Sequence, residues 1–330
     1  MAQNLVPFLI VHRDPHGAPD FVYPPETNMA SCVIASINVC RGMLRTARIR
    51  AVLVSLVREF HRSQPRPWYD DPRQGFRSLE DVTLTFINSI LMVFPTVYID
   101  DSIGSPSCLG AHPRREWRNF FHPREQSIIL NGPRVRDMGT AAILAARTGN
   151  PSDHANKRFR TFIFMFANTF FHEMAHMLVT FLTQDLTLTP PNIGPRISGY
   201  SNGGIGEAGR YLETTVFGGT LEYYRDHSDD GGQPGIPHIL TEGGVQRISQ
   251  HSIDDIVSYY FHFPYHLEGP LVDRDSMERI GDHYPPVNLT DPMRWIVMDE
   301  YRRHCQKVDV GPQSALARLP FQPGLRAQAA

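Results

Sequence analysis

Several familiar readings lack the residues they need. Four cysteines occur in 330 residues, Cys32, Cys40, Cys108 and Cys305. They have neither zinc-ribbon nor disulfide-framework spacing, and sparse, unpatterned thiols favour a reducing compartment. There is no excess of one charge. Lys+Arg number 32 against 34 Asp+Glu, a formal net charge of −2, so nothing suggests a nucleic-acid surface. Internal repeats and low-complexity tracts are missing too, and the 27 prolines collect in connections. Val6–Val11 is apolar but short, without the basic flank and cleavage site of a signal peptide, so a cytoplasmic location is expected.

What is present belongs to a folded protein. Hydrophobic residues make up 41% and charged residues 20%. The length suits one large domain or two lobes around a sizeable core. The division expected is an N-terminal lobe over 1–184, a C-terminal lobe over 185–305 and a disordered tail over 306–330. The class expected is α+β and mainly helical.

One long apolar run organises the chain: Thr161–Leu182, TFIFMFANTFFHEMAHMLVTFL. Its composition would span a bilayer, and Lys157, Arg158 and Arg160 precede it. Against a membrane stand Asn168, His172, Glu173 and His176 in its middle, so a buried helix of a soluble enzyme is expected. His172 and His176 are four apart, so on a helix both imidazoles face one point. Glu173 is turned about 100° from His172, beside that point rather than on it. This is the H-E-x-x-H arrangement, two zinc ligands and a carboxylate able to take a proton from water. With 15 His in the chain, chance matches should number roughly 0.03. The competing reading is a pair of core histidines satisfied by hydrogen bonds.

A catalytic zinc takes three protein ligands and keeps one position open. The third should come from a downstream element that packs on the apolar helix. Gly206-Glu207-Ala208-Gly209-Arg210-Tyr211-Leu212-Glu213 is the best candidate, because Ala208 and Gly209 permit close approach. Glu207 and Glu213 both remain candidates. On one regular helix they point about 240° apart, so one should be the ligand and the other peripheral. If Glu207 binds the metal, Glu213 orients a ligand or neutralises Arg210. Gly204-Ile205-Gly206-Glu207-Ala208-Gly209 also matches G-x-G-x-x-G, but no apolar strand precedes it as a dinucleotide site requires.

On His172-Glu173-Met174-Ala175-His176 the chain resembles the zincin metallohydrolases, in which this motif sits on a buried active-site helix. Val179 and Leu182 stand where the metzincin branch has Gly and His, which excludes that branch. The stretch from Gly206 is similar to the segment that supplies the glutamate ligand in gluzincins. That resemblance implies a zincin-like metalloprotease fold, zinc as cofactor and Glu207 as the ligand. Tyr211 departs from it, since thermolysin-like enzymes carry an acidic residue there. The resemblance also implies an edge strand beside the metal helix that binds extended substrate, with Ser127–Leu130 the candidate.

Pattern and punctuation give further elements. Strands are expected at Leu5–Val11, Thr96–Ile99 and Ser127–Leu130. Helices are expected at Ala30–His61, Ser78–Phe94, Pro113–Phe121, Arg134–Arg147, Glu207–Tyr224 with a break at Gly218-Gly219, Ser252–Phe261 and Asp291–His304. Arg225–Gly244 reads as loop. A hydrolase also needs a donor for the developing oxyanion, and Tyr223 and His227 are the candidates.

Three functions follow as expectations. The first is a zinc peptidase with Glu173 as general base. The second is a zinc hydrolase or lyase acting on a small molecule in a biosynthetic pathway. The third is a non-catalytic metal-binding or scaffold protein, which would have no use for Glu173. The expected partner is a peptide or small-molecule substrate, not nucleic acid or a membrane.

Overall fold

The computed structural model describes residues 8–13, 20–64, 67–103, 108–194, 206–229 and 232–280. These form an α+β fold with seven α-helices and two small sheets among the described residues. The chain opens with β1 (Ile10–Arg13) and β2 (Phe21–Val22), then α1 (Asn28–Leu44), α2 (Ala47–Ser63) and α3 (Leu79–Met92). Next come β3 (Thr96–Asp100), β4 (Gly110–Ala111), β5 (Ser127–Asn131), α4 (Gly132–Thr148) and α5 (His154–Thr183). The remainder is α6 (Ala208–Phe217), β6 (Thr220–Tyr224), β7 (Ile236–Thr241), β8 (Gly244–Ile248), α7 (Gln250–Val257) and β9 (Leu267–Val272).

The first sheet has the order β2-β1-β3-β5-β4. Its centre is parallel, with Val97 opposite Ile10 and Ile128, and the outer strands β2 and β4 are antiparallel. β5 is buried along its whole length, as a strand covered on both faces must be. The second sheet is an antiparallel meander, β6-β7-β8-β9.

Helix α5 is the axis of the fold. Thirty residues make it about 45 Å long, and it packs against α1, α4, α6 and α7. From Thr161 to Leu182 every residue is buried except His172 and His176. Asn168, one of its buried polar members, accepts from the Tyr265 hydroxyl at 2.7 Å and donates to the Phe164 carbonyl at 2.8 Å. At the C-terminal end, where helix carbonyls lack partners, Trp117 and Trp68 donate their indole N–H groups to Thr180 and Phe181 at 3.1 Å. One hydrophobic core runs from Ile10 to Tyr265, across the boundary expected after residue 184. The stretch long and apolar enough to cross a membrane is 83% buried within that core.

The structure departs from expectation in identifiable places. The helix expected over Ala30–His61 is two, because Thr46 caps α2 by accepting from the Ile49 amide. Pro113–Phe121 is not helical. It is a strap over the end of α5, with the Trp117 amide donating to Gln184 and Arg114 reaching Thr189 at 2.8 Å. The helix expected over Glu207–Tyr224 stops at Gly218, whose φ of 85° suits glycine, and the chain continues as β6. Arg225–Gly244 contains β7 rather than only loop, and α7 begins earlier than expected, capped by Ser249. Ser127–Leu130 is not an edge strand, since β5 lies between β3 and β4; β4 is the edge. The helix expected at Asp291–His304 and the tail expected to be disordered lie outside the described residues.

Candidate metal centre

The 3.6-residue period of α5 brings His172 and His176 to the same side, at the only two accessible positions of its apolar stretch. Helix α6 crosses directly above them. A Cβ on Gly209 would lie 2.3 Å from His172 Nε2, so only glycine lets α6 approach so closely. The entry to α6 is fixed by the backbone: Gly206 N donates to the Thr189 carbonyl at 2.9 Å and Glu207 N to that of Ile193 at 2.6 Å. Glu207 is the N-cap of α6, its Oε2 accepting from the Arg210 amide. Its Oε1 faces the histidines, 2.6 Å from His176 Nε2 and 3.3 Å from His172 Nε2. The two Nε2 atoms are 3.3 Å apart.

His172, His176 and Glu207 could hold a metal ion, with one donor atom each within 4.8 Å of the others. Zinc bonds of about 2.0–2.1 Å at tetrahedral angles place ligand atoms about 3.3 Å apart. Two of the three separations here have that value, and the third is a hydrogen-bond distance. Two imidazoles and a carboxylate also suit zinc in hardness, so the donor set fits the ion.

Glu213 lies on the other side of His172. Its Oε1 is 2.7 Å from His172 Nδ1, and its Oε2 accepts from Leu221 N and Arg210 Nη1, both at 3.0 Å. This carboxylate fixes the tautomer that presents Nε2 to a metal. The two glutamates therefore differ in place, Glu207 facing the Nε2 atoms of both histidines and Glu213 lying behind the His172 ring.

The electrostatics reflect that arrangement. Burial works against charge on His172, but the Glu207 and Glu213 carboxylates outweigh it and hold its pKa well above the ordinary imidazole range. Burial likewise opposes ionisation of Glu207, yet His176 and His172 hold its carboxyl well below the usual range. Glu213 is lowered as well, Arg210 and His172 prevailing over desolvation. Glu173 is buried at 6% exposure, and its side chain has no hydrogen bond or ion pair among the described residues.

The two oxyanion candidates differ in their surroundings. His227 is exposed on the loop after β6, 3.6 Å from Glu278. Tyr223 carries a buried hydroxyl without a hydrogen-bond partner, its pKa pushed well above the phenol value by burial and then by Tyr265 and Glu213. One residue that sequence reasoning missed is His112, immediately after β4. Its Nδ1–H donates to the Ser127 carbonyl at 2.8 Å, and its Nε2 accepts from the Thr180 hydroxyl at 3.1 Å. Burial first, then Arg114 and His176, push its pKa down to about 3 against the Ser127 bond, so it is neutral. His112 thus ties the edge strand to α5 one turn beyond His176. No periodicity in its proline-rich surroundings marks it.

A scan of protein-family models, a search of curated proteins and a search of solved structures each found no match to this chain.

Proposed function

We propose that this chain is a zinc-dependent hydrolase of the zincin type, acting on peptides. One observation carries the reading: a helix buried throughout its apolar stretch is open only at His172 and His176, and there it meets the Glu207 carboxylate. Ionisable groups are costly to bury in so apolar a setting, and a bound metal ion would give three of them a common partner. Zinc held by His172, His176 and Glu207 would supply Lewis-acid polarisation of a carbonyl and bring the pKa of water down towards ~7. Glu173, adjacent to His172 and without a competing partner among the described residues, accepts the proton of the attacking water and returns it to the leaving amine. His172 is kept in the tautomer this needs by Glu213.

Peptides are favoured by the edge strand. β4 ends the first sheet, and Gly110 packs against Thr169, one turn before Glu173. An extended chain added to that edge would pass the metal position, with main-chain hydrogen bonds holding it. The test is digestion of a broad peptide library by the zinc-loaded protein and by Glu173→Gln. The wild type should cleave, while the variant keeps its zinc and loses about 10²–10⁴-fold in rate. Equal rates contradict Glu173 as base, and an uncut library contradicts the peptide assignment.

A further inference from the structure

Arg210 occupies the midpoint of Glu207-x-x-Arg210-x-x-Glu213 and touches both glutamates. Its amide donates to Glu207 Oε2, and its Nη1 donates to Glu213 Oε2 at 3.0 Å. Each carboxylate therefore has one oxygen fixed by Arg210 and the other aimed at a histidine. Glu207 Oε1 meets His176 Nε2 and Glu213 Oε1 meets His172 Nδ1. Nη1 also donates to the Leu221 carbonyl at 3.0 Å, while the Leu221 amide donates to Glu213 Oε2 at 3.0 Å. The guanidinium is thus held between α6 and the first residues of β6.

The network extends further. Glu222 on β6 is 3.7 Å from Arg210 Nη1 and 2.9 Å from Arg279 Nη2. Arg279 is bridged to Tyr224 in the second sheet. A chain of alternating charges thus runs from Arg279 through Glu222, Arg210 and Glu213 to His172. Both faces of α6 are used: a capping carboxylate toward the metal position, and a buried carboxylate whose negative charge is balanced by Arg210.

We propose that Arg210 is a positioning residue for the metal centre. It sets the carboxylate of Glu213 behind His172 and couples the second sheet to the ligand. The proposal rests on the metal reading above for its consequence, but its geometry exists without metal. The backbone contact to Glu207 survives any substitution except proline, so a side-chain change spares it and removes the contacts to Glu213, Leu221 and Glu222.

The experiment measures zinc affinity by chelator competition in the full chain for the wild type, Arg210→Lys, Arg210→Met, Glu213→Gln and the double variant Arg210→Met/Glu213→Gln. Arg210→Met should weaken zinc about 10-fold, at the low end of the range for partners that orient ligands. Arg210→Lys should recover part of that loss. The double variant should bind no more weakly than Glu213→Gln, because Arg210 acts through Glu213. Losses that multiply in the double variant, or wild-type affinity in Arg210→Met, would overturn the proposal. The second readout needs no metal: the downfield Nδ1–H proton resonance of His172 in the zinc-free protein. It should persist in Arg210→Lys and be shifted or lost in Arg210→Met and Glu213→Gln. A wild type that binds no zinc, with a resonance that responds in this way, sinks the metal reading and leaves the positioning role standing. A resonance unmoved in Arg210→Met sinks the positioning role.

Discussion

Helices α5 and α6 meet at the same cluster, but they are held there differently. The His172–Glu173–His176 segment lies within thirty residues of helix, buried on nearly every side and capped by two tryptophans. Glu207 and Glu213 belong to a ten-residue helix and its cap. That short helix is placed by the Gly209 contact, the backbone bonds at Gly206 and Glu207, and the Arg210 side chain. The histidine arm is therefore fixed by the core of the whole fold, and the carboxylate arm by a few local contacts. The carboxylate arm is where the centre should be easiest to loosen without unfolding the protein.

The comparison is sharpest at the two glutamates. Glu207→Ala should weaken zinc binding well beyond the ~10–100-fold expected of Glu213→Ala, since one removes a ligand and the other its support. Equal losses in a chelator competition, or the reverse order, would break the division of roles.

Protons come next. Zinc requires neutral His172, which the zinc-free protein holds protonated to well above the ordinary imidazole pKa. Apparent zinc affinity should therefore rise with pH above the ordinary imidazole range, levelling off once pH passes that raised pKa. The zinc-free fold has the complementary dependence. The raised pKa of His172 contributes stability that is fully present below the unfolded value and is lost as pH rises through the folded one. The lowered pKa of Glu207 contributes stability present above its unfolded value and lost as pH falls through the folded one. Chemical denaturation of the zinc-free protein should thus show most stability between those limits.

Gly209→Ala should have a smaller effect. The added Cβ meets the His172 ring at 2.3–2.4 Å, so α6 must retreat. Overpacking of this kind costs about 1–3 kcal/mol. A lowered melting temperature together with weaker zinc binding is expected, and unchanged affinity would show that α6 does not set the ligand distance. The smallest effect is expected at His227, which is exposed and pairs with Glu278. His227→Ala should leave peptide turnover and zinc affinity at wild-type values.

The two regions also differed in how far they could be read in advance. H-E-x-x-H is local: four residues of spacing on an apolar helix place both imidazoles, whatever surrounds them. Gly209 and the two glutamates were readable as a close approach with two candidate carboxylates. Their separate roles depend on Glu207 lying just outside the helix and on Leu221 closing over Glu213. The second sheet was the larger omission. Pro237 sits in β7, and Gly269 and Pro270 sit in β9, residues that argue against strands in a single sequence. Their pairing comes from other strands rather than from their own segment, as where Glu222 faces His238. The Pro113–Phe121 strap was misread for a related reason: Trp117 and Arg114 find their partners beyond Thr180, not along their own segment.

Metal content tests the central claim most directly. The protein should be purified without added chelator, supplied with zinc, freed of excess and analysed for metal beside His172→Ala and His176→Ala. Three ligands converging on one point predict about one zinc per chain in the wild type and loss of it in both variants. A wild type without bound zinc, or full occupancy in both variants, would contradict it.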